Sequence, residues 1–273
     1  MVWGPCRCMY RYLTGRLDLL VLVGRVYTWR VPTDVAQSVD VLNRMVAEQF
    51  VRVTTDALRE RGRCAVALSG GTTPKGVYQF LASPSFCSRV PWSEIDFFWG
   101  DERHVPPDHP DSNYRMALEA MLSKVPVNSG QIHRIRSEMA DAQRAAQDYE
   151  DEIRAFFGSE TPRFDLIHLG LGDDGHTASL FPGTAALEER QRLSVANWVP
   201  KLGAHRITLT LPLINAARVL AFIVAGVAKA PIVAQVLRGA RSIEASALPA
   251  HLVRPVDGEL FWMLDRAAAG ELS

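Results

Sequence analysis

Three loops and two later basic residues have the types and spacing for chemistry on a small anionic molecule. The stretch FDLIHLGLGDDGHTASLFPG, Phe164 to Gly183, takes an apolar run directly into glycines, two adjacent carboxylates and His176. Gly170, Gly172 and Gly175 let a ligand approach the backbone closely. An imidazole, which titrates near neutrality, is the side chain best suited to take a proton from water. Asp174, two residues earlier, is placed to orient that ring and to stabilise the imidazolium. His168 has a different setting: it alternates with Ile167 and Leu169 inside the apolar run, as a packed, hydrogen-bonded sheet histidine would.

The second loop is LSGGTTPKG, Leu68 to Gly76. Ser69, Gly70, Gly71 and Thr72 combine hydroxyl donors with a backbone that turns tightly, and the helix expected after them offers free N–H groups to a phosphate. A plain tight turn before a capped helix would use the same residues. The stretch lacks P-loop spacing and the three-glycine dinucleotide fingerprint, so neither ATP nor NAD is indicated.

The third loop, WGDERHVPPDHPDSNYR, delivers Asp101, Glu102 and Arg103 together. Asp101 can orient or accept a proton, and Arg103 can hold a phosphate or polarise a carbonyl oxygen. An isolated Asp-Glu-Arg also fits a solvated loop. His104 and His109, with Asp108 and Asp111, match no familiar zinc spacing, so no metal is expected. Arg206, opening RITLTLP, and Lys229, following IVAGVA, add two cations beside strands. Ser69 lacks a nucleophile elbow and no cysteine has a catalytic setting, which favours an activated water over a covalent intermediate.

The elements that must position these groups alternate between strand and helix. Strand patterns occur at Arg25–Val31, Cys64–Leu68, Ile95–Gly100, the apolar run before Gly170, RITLTLP, RVLAFIVAG and ELFWMLD. Helical spacing occupies Thr33–Arg61, the residues after Gly71, Tyr114–Leu122, Met139–Phe157 and the segment after Lys229. This order predicts an α/β fold with a largely parallel central sheet flanked by helices, because parallel neighbours need helical crossovers. Ligands of such sheets bind beyond the carboxyl ends of the strands, where the three loops fall.

The chain has 273 residues, is 48% hydrophobic, and has 30 Lys plus Arg against 30 Asp plus Glu. That balance argues against a general nucleic-acid binder, so an acidic ligand must be met by a site. Cys6, Cys8, Cys64 and Cys87 form neither a zinc pattern nor a disulfide framework, and a reducing cytoplasm is the expected location. Residues 1–25 carry an apolar patch, Leu17 to Val23, too short to span a bilayer. They are expected to be a poorly ordered extension or an over-long start, ahead of one domain over 26–273.

Taken together, LSGGTTP, DERHVPPDHPDSNYRMA, FDLIHLGLGDDGHTASLFPG, RITLTLPLINAARVLAFIVAGVAKA and LPAHLVRPVDGELFWMLDRAAA resemble the 6-phosphogluconolactonases, in the family's order and over Val26 to Ala269. That family is similar in fold to glucosamine-6-phosphate deaminase, ribose-5-phosphate isomerase and CoA transferases. The deaminases share the D-G-H and S-G-G signals, but Ser179, Leu180, Phe181 and Pro182 favour the lactonase branch. The resemblance implies hydrolysis of 6-phospho-D-glucono-1,5-lactone to 6-phosphogluconate, the second step of the oxidative pentose phosphate pathway, without metal or organic cofactor. His176 and Asp174 would activate water, assisted by Asp101 and Arg103. Ser69, Gly70, Gly71, Thr72, Arg103, Arg206 and Lys229 would hold the phosphate. The expected partner is the sugar-phosphate lactone alone, with no nucleic acid and no membrane, in a monomer or weak homo-oligomer. The rival readings are a sugar-phosphate deaminase or isomerase, and a non-catalytic sugar-phosphate sensor.

Overall fold

The computed structural model describes residues 33–239, 248–270 and 272, so the strand expected at Arg25–Val31 and the N-terminal extension lie outside the described residues. Six strands form one parallel sheet: β1 (Thr33–Ala36), β2 (Cys64–Leu68), β3 (Ile95–Trp99), β5 (Leu166–Leu169), β8 (Val219–Val224) and β9 (Glu259–Asp265), in the order β1-β9-β8-β5-β2-β3. Every residue of β2, β5 and β8 is buried, which is why they read in the sequence as unbroken apolar runs and not as alternation.

Helix α1 (Val39–Arg61) begins later than its periodicity suggests. Thr33–Ala36 pairs instead with Trp262–Asp265 as an edge strand, and Ser38 caps the helix by accepting a hydrogen bond from the Val41 amide at 3.3 Å. From there Leu42, Val46, Phe50, Val53 and Ala57 form one buried stripe. Burial of a side chain such as Phe50 stabilises the fold by roughly 1.5–3 kcal/mol. Gly62, at φ +68°, ends the helix by donating to the Leu58 carbonyl.

A second sheet, antiparallel, has the order β4-β7-β6, with β4 (Asp101–Arg103), β6 (Ser194–Val199) and β7 (Ala204–Leu209). The sequence pattern does not announce it. Gly100 joins the two sheets: its N–H donates to the Leu68 carbonyl of β2, and its carbonyl accepts from Leu209 of β7, both at 2.9 Å. The remaining helices are α2 (Thr72–Leu81), α3 (Asn113–Ala120), α4 (Ala142–Phe157), α5 (Leu211–Asn215) and α6 (Ala230–Gly239). α4 packs on β6 and β7, while α2 lies against α1, α3 and β8.

Candidate active site

The end of β2 starts one wall of a cleft. The Ser69 amide donates to the Tyr78 hydroxyl at 2.8 Å, and that hydroxyl donates back to the Ser69 carbonyl at 3.1 Å, so α2 clamps the turn. A side chain at Gly70 would collide with Asn113, its β-carbon falling 1.8 Å from Oδ1. Gly71, at φ +103°, precedes α2 with no side chain capping the helix, which leaves the start of α2 facing the cleft beside Thr72 and Thr73.

β4 supplies the adjoining wall. Glu102 is buried, which pushes its pKa up, but its carboxylate accepts hydrogen bonds from the amides of Arg103, Asn113 and Tyr114 and from the Ser112 hydroxyl. It organises the start of α3 and does not line the cleft. Asp101 accepts from the Ser179 hydroxyl at 2.6 Å and from Asn113 Nδ2 at 3.3 Å, which ties the third loop to the His176 loop. Arg103 Nη1 donates to the Asp111 carbonyl at 2.5 Å. Its strand neighbour on β7 is Arg206, whose pKa is lowered by burial and by the Arg103 charge.

The His176 loop is held on several sides. Thr177 Oγ1 donates to the Gly170 carbonyl, the Ser179 amide donates to Thr208 Oγ1, and Asn197 Nδ2 donates to the Ser179 carbonyl. Between them Ala178 adopts φ +48°, the only non-glycine in the left-handed region among the described residues. Strain of that kind persists only where the surroundings over-determine it.

His176 Nδ1 lies 2.5 Å from Asp174 Oδ1, and Lys201 Nζ lies 3.0 Å from Asp174 Oδ2. Burial opposes ionisation of Asp174, but the hydrogen bonds from His176 and Lys201 outweigh it and bring its pKa down to about 2. An ionised carboxylate only accepts, so Nδ1 donates this bond, and in the neutral ring the lone pair falls on Nε2. The ring stacks on Phe181, with centroids 4.0 Å apart and planes at 23°. It also fills the volume that a side chain at Gly172 would need. Lys229, just ahead of α6, pairs with the exposed Asp173 at 2.6 Å.

These walls enclose a cleft of about 400 Å³. Ser69, Gly70, Gly71, Thr72, Asp101, Arg103, His176, Arg206 and Lys229 all line it, and Asp174 contacts it through the His176 ring. Lys201 and Asn113 also line the cleft without having been expected there, and Phe181, expected only as a mark of the lactonase branch, lines it too. Phe181 follows His176 within one short loop, a proximity that the sequence could signal, whereas Lys201 follows a strand that the pattern hides. His104 and His109 bond separately, to the Met139 carbonyl and the Asp111 amide. His168 is buried as expected, but the hydrogen bonds expected for it are absent: neither ring nitrogen has a partner among the described residues.

The sequence model for glucosamine-6-phosphate isomerases/6-phosphogluconolactonase matches residues 37–262. The 6-phosphogluconolactonase of Synechocystis sp. is 46% identical over 247 residues, covering 87% of this chain and 99% of that protein. That of Nostoc sp. is 46% identical over 221 residues, covering 80% and 88%. Rice relatives named as probable chloroplastic 6-phosphogluconolactonases are 37–38% identical. The solved 6-phosphogluconolactonase from Trypanosoma brucei superposes with a TM-score of 0.79 at 27% identity, over 90% of this chain and 100% of that one. A monomeric glucosamine-6-phosphate deaminase shares the fold at 20% identity and a TM-score of 0.71, over 88% of this chain and 99% of that one. The chain thus belongs to the glucosamine-6-phosphate isomerase/6-phosphogluconolactonase family, as one of its 6-phosphogluconolactonases.

Proposed function

We propose that this cleft opens 6-phospho-D-glucono-1,5-lactone with a water activated by His176. The activity is that of a 6-phosphogluconolactonase of the pentose phosphate pathway, and the observation that supports this route is the His176–Asp174 contact, which leaves Nε2 without a partner among the described residues. Nε2 takes a proton from water as the water oxygen bonds to the lactone carbonyl carbon. The imidazolium then returns that proton to the ring oxygen as the C–O bond breaks, and 6-phosphogluconate leaves as the open-chain acid. Acid–base assistance of this kind contributes roughly 10²–10⁴-fold.

In this reading the phosphate is held by the turn Ser69–Thr72 and by cations drawn from Arg103, Arg206 and Lys229, and its binding energy sets the carbonyl over the base. Arg103, which lines the same cleft as His176, serves the developing oxyanion as the alternative to holding phosphate, and Asp101 acts by tying Ser179 and Asn113 in place. Among the described residues no helix is long and apolar enough to cross a membrane. We assign the enzyme to the cytoplasm, consistent with the free thiols of Cys64 and Cys87, and 26–273 to a single catalytic unit.

The test couples the enzyme to glucose-6-phosphate dehydrogenase, which generates fresh lactone, and compares 6-phosphogluconate formation with the spontaneous rate. His176→Ala should lower kcat by about 10²-fold or more with KM little changed. Wild-type turnover in that variant removes His176 as the base, and no acceleration by the native enzyme removes the lactonase reading.

A further inference from the structure

Asp174 is gripped from two directions. His176 Nδ1 holds Oδ1 at 2.5 Å from within the loop, and Lys201 Nζ holds Oδ2 at 3.0 Å from the turn after β6. The two contacts use different oxygens, so together they set the plane of the carboxylate as well as its position. Without the second contact Oδ2 is unheld, and only the two His176 contacts to Oδ1, Nδ1 at 2.5 Å and the amide at 3.2 Å, resist rotation about the terminal torsion, which is broad for a carboxylate. A base whose orienting anion rotates spends less time with Nε2 aimed at the water, and small misplacements cost rate.

We propose that Lys201 is a positioning residue of the His176–Asp174 pair, holding the second carboxylate oxygen from the small antiparallel sheet so that the first stays on Nδ1. This rests on His176 acting as the base. It also gives that sheet a part in the reaction beyond presenting Arg103 and Arg206: the turn that ends β6 reaches across to the loop that ends β5.

The position of Lys201 fixes a sign. The charged groups that face His176 are Asp173 and Asp174 on its own loop, Lys201 after β6, Lys229 before α6, Arg206 on β7, and Asp101 and Arg103 on β4. Of these, Lys201 bonds the carboxylate that stabilises the imidazolium, and its charge offsets part of that anion. Removing it therefore strengthens the net pull of Asp174 on the His176 proton. Removing Asp174 does the opposite.

Lys201→Met, Lys201→Arg and Asp174→Asn are compared in the coupled lactone assay across pH, as initial rates above the spontaneous background. Lys201 is about two-thirds exposed, so the fold survives its loss. Lys201→Met should lower kcat about three- to fivefold with KM changed by less than about twofold, the scale of an exposed charge pair. Its acid limb should move up by about 0.3–0.5 pH unit, and Lys201→Arg should restore both. Asp174→Asn should move the acid limb down. If Lys201→Met raises KM and leaves the acid limb in place, Lys201 binds substrate directly and the proposal is overturned. If Asp174→Asn also leaves the limb unmoved, the His176–Asp174 reading itself fails and takes the proposal with it.

Discussion

Arg103 and Arg206 are direct cross-strand partners on β4 and β7, and among the described residues neither forms an ion pair with a carboxylate. Two guanidiniums side by side on one wall of a cleft repel each other, and Arg206 shows it: burial first, then the Arg103 charge, holds its pKa below the ordinary arginine value. An arrangement that costs folding free energy at a cleft wall is what an anion site looks like before its anion arrives.

The first prediction separates that cost from its use. Arg206→Met removes a desolvated, repelled cation, so thermal stability should hold or rise. Losing a charge-assisted hydrogen bond of about 1.5–3 kcal/mol should raise KM by roughly ten- to a hundredfold and weaken competitive inhibition by inorganic phosphate. A lower Tm together with an unchanged KM would show that Arg206 is structural.

A second prediction concerns Gly172. A β-carbon there would stand 2.0 Å from both Cε1 and Nδ1 of His176, so the ring, stacked on Phe181 at 4.0 Å between centroids, would have to leave its place. Gly172 is not in the left-handed region, so its backbone accepts alanine without strain. Gly172→Ala should therefore drive the imidazole off Asp174, keep near-native KM, and lose most of kcat, with any loss of fold read from the circular dichroism of the same preparation. Circular dichroism and steady-state kinetics on the same preparation check this, and retention of more than about half the activity would refute the packing argument.

How much of this was legible before the structure depended on whether a feature is local. The parallel sheet was, since strands buried on both faces appear as apolar runs ending in loops. The Asp174–His176 pairing was legible only as a candidate, since two residues of separation do not by themselves make the 2.5 Å contact that the folded loop forms. β1 was not: Val35, Val39 and Leu42 continue a helical spacing by coincidence, and only pairing with β9 near the other end of the chain makes Thr33–Ala36 a strand. β6 was hidden because SVANWV has an irregular burial pattern that neither alternates nor stays apolar. With β6 hidden, Lys201 had no visible place. The Arg103–Arg206 pairing is a matter of strand register, which no spacing within one segment encodes.

The last prediction opposes two histidines that sit outside the cleft. His168 is fully buried against Phe50 and Tyr78 with both nitrogens unpartnered among the described residues, and burial pushes its pKa down to about 3. The unfolded chain takes up a proton near pH 6.5 that the folded chain refuses. Stability linked to His168 is therefore complete above about pH 6.5 and drains as pH falls towards 3, by about 2 kcal/mol near pH 5. His133 behaves in the opposite sense. It is stacked on Phe98 and lies 3.0 Å from Asp96 Oδ1 and 2.7 Å from Glu152 Oε1. Burial lowers its pKa, but the two carboxylates prevail and the net shift is upward. Its contribution is complete below the unfolded value and is lost as pH rises through the raised folded one. Thermal melts of His168→Leu and His133→Gln near pH 5 and near pH 8 should then diverge. Relative to the parent, His168→Leu gains on acidification by a few degrees, whereas the deficit of His133→Gln deepens. Comparing each variant with itself across pH cancels the packing change of the substitution. If the two differences move in the same direction, one of these histidines is titrating against a partner other than those that surround it here.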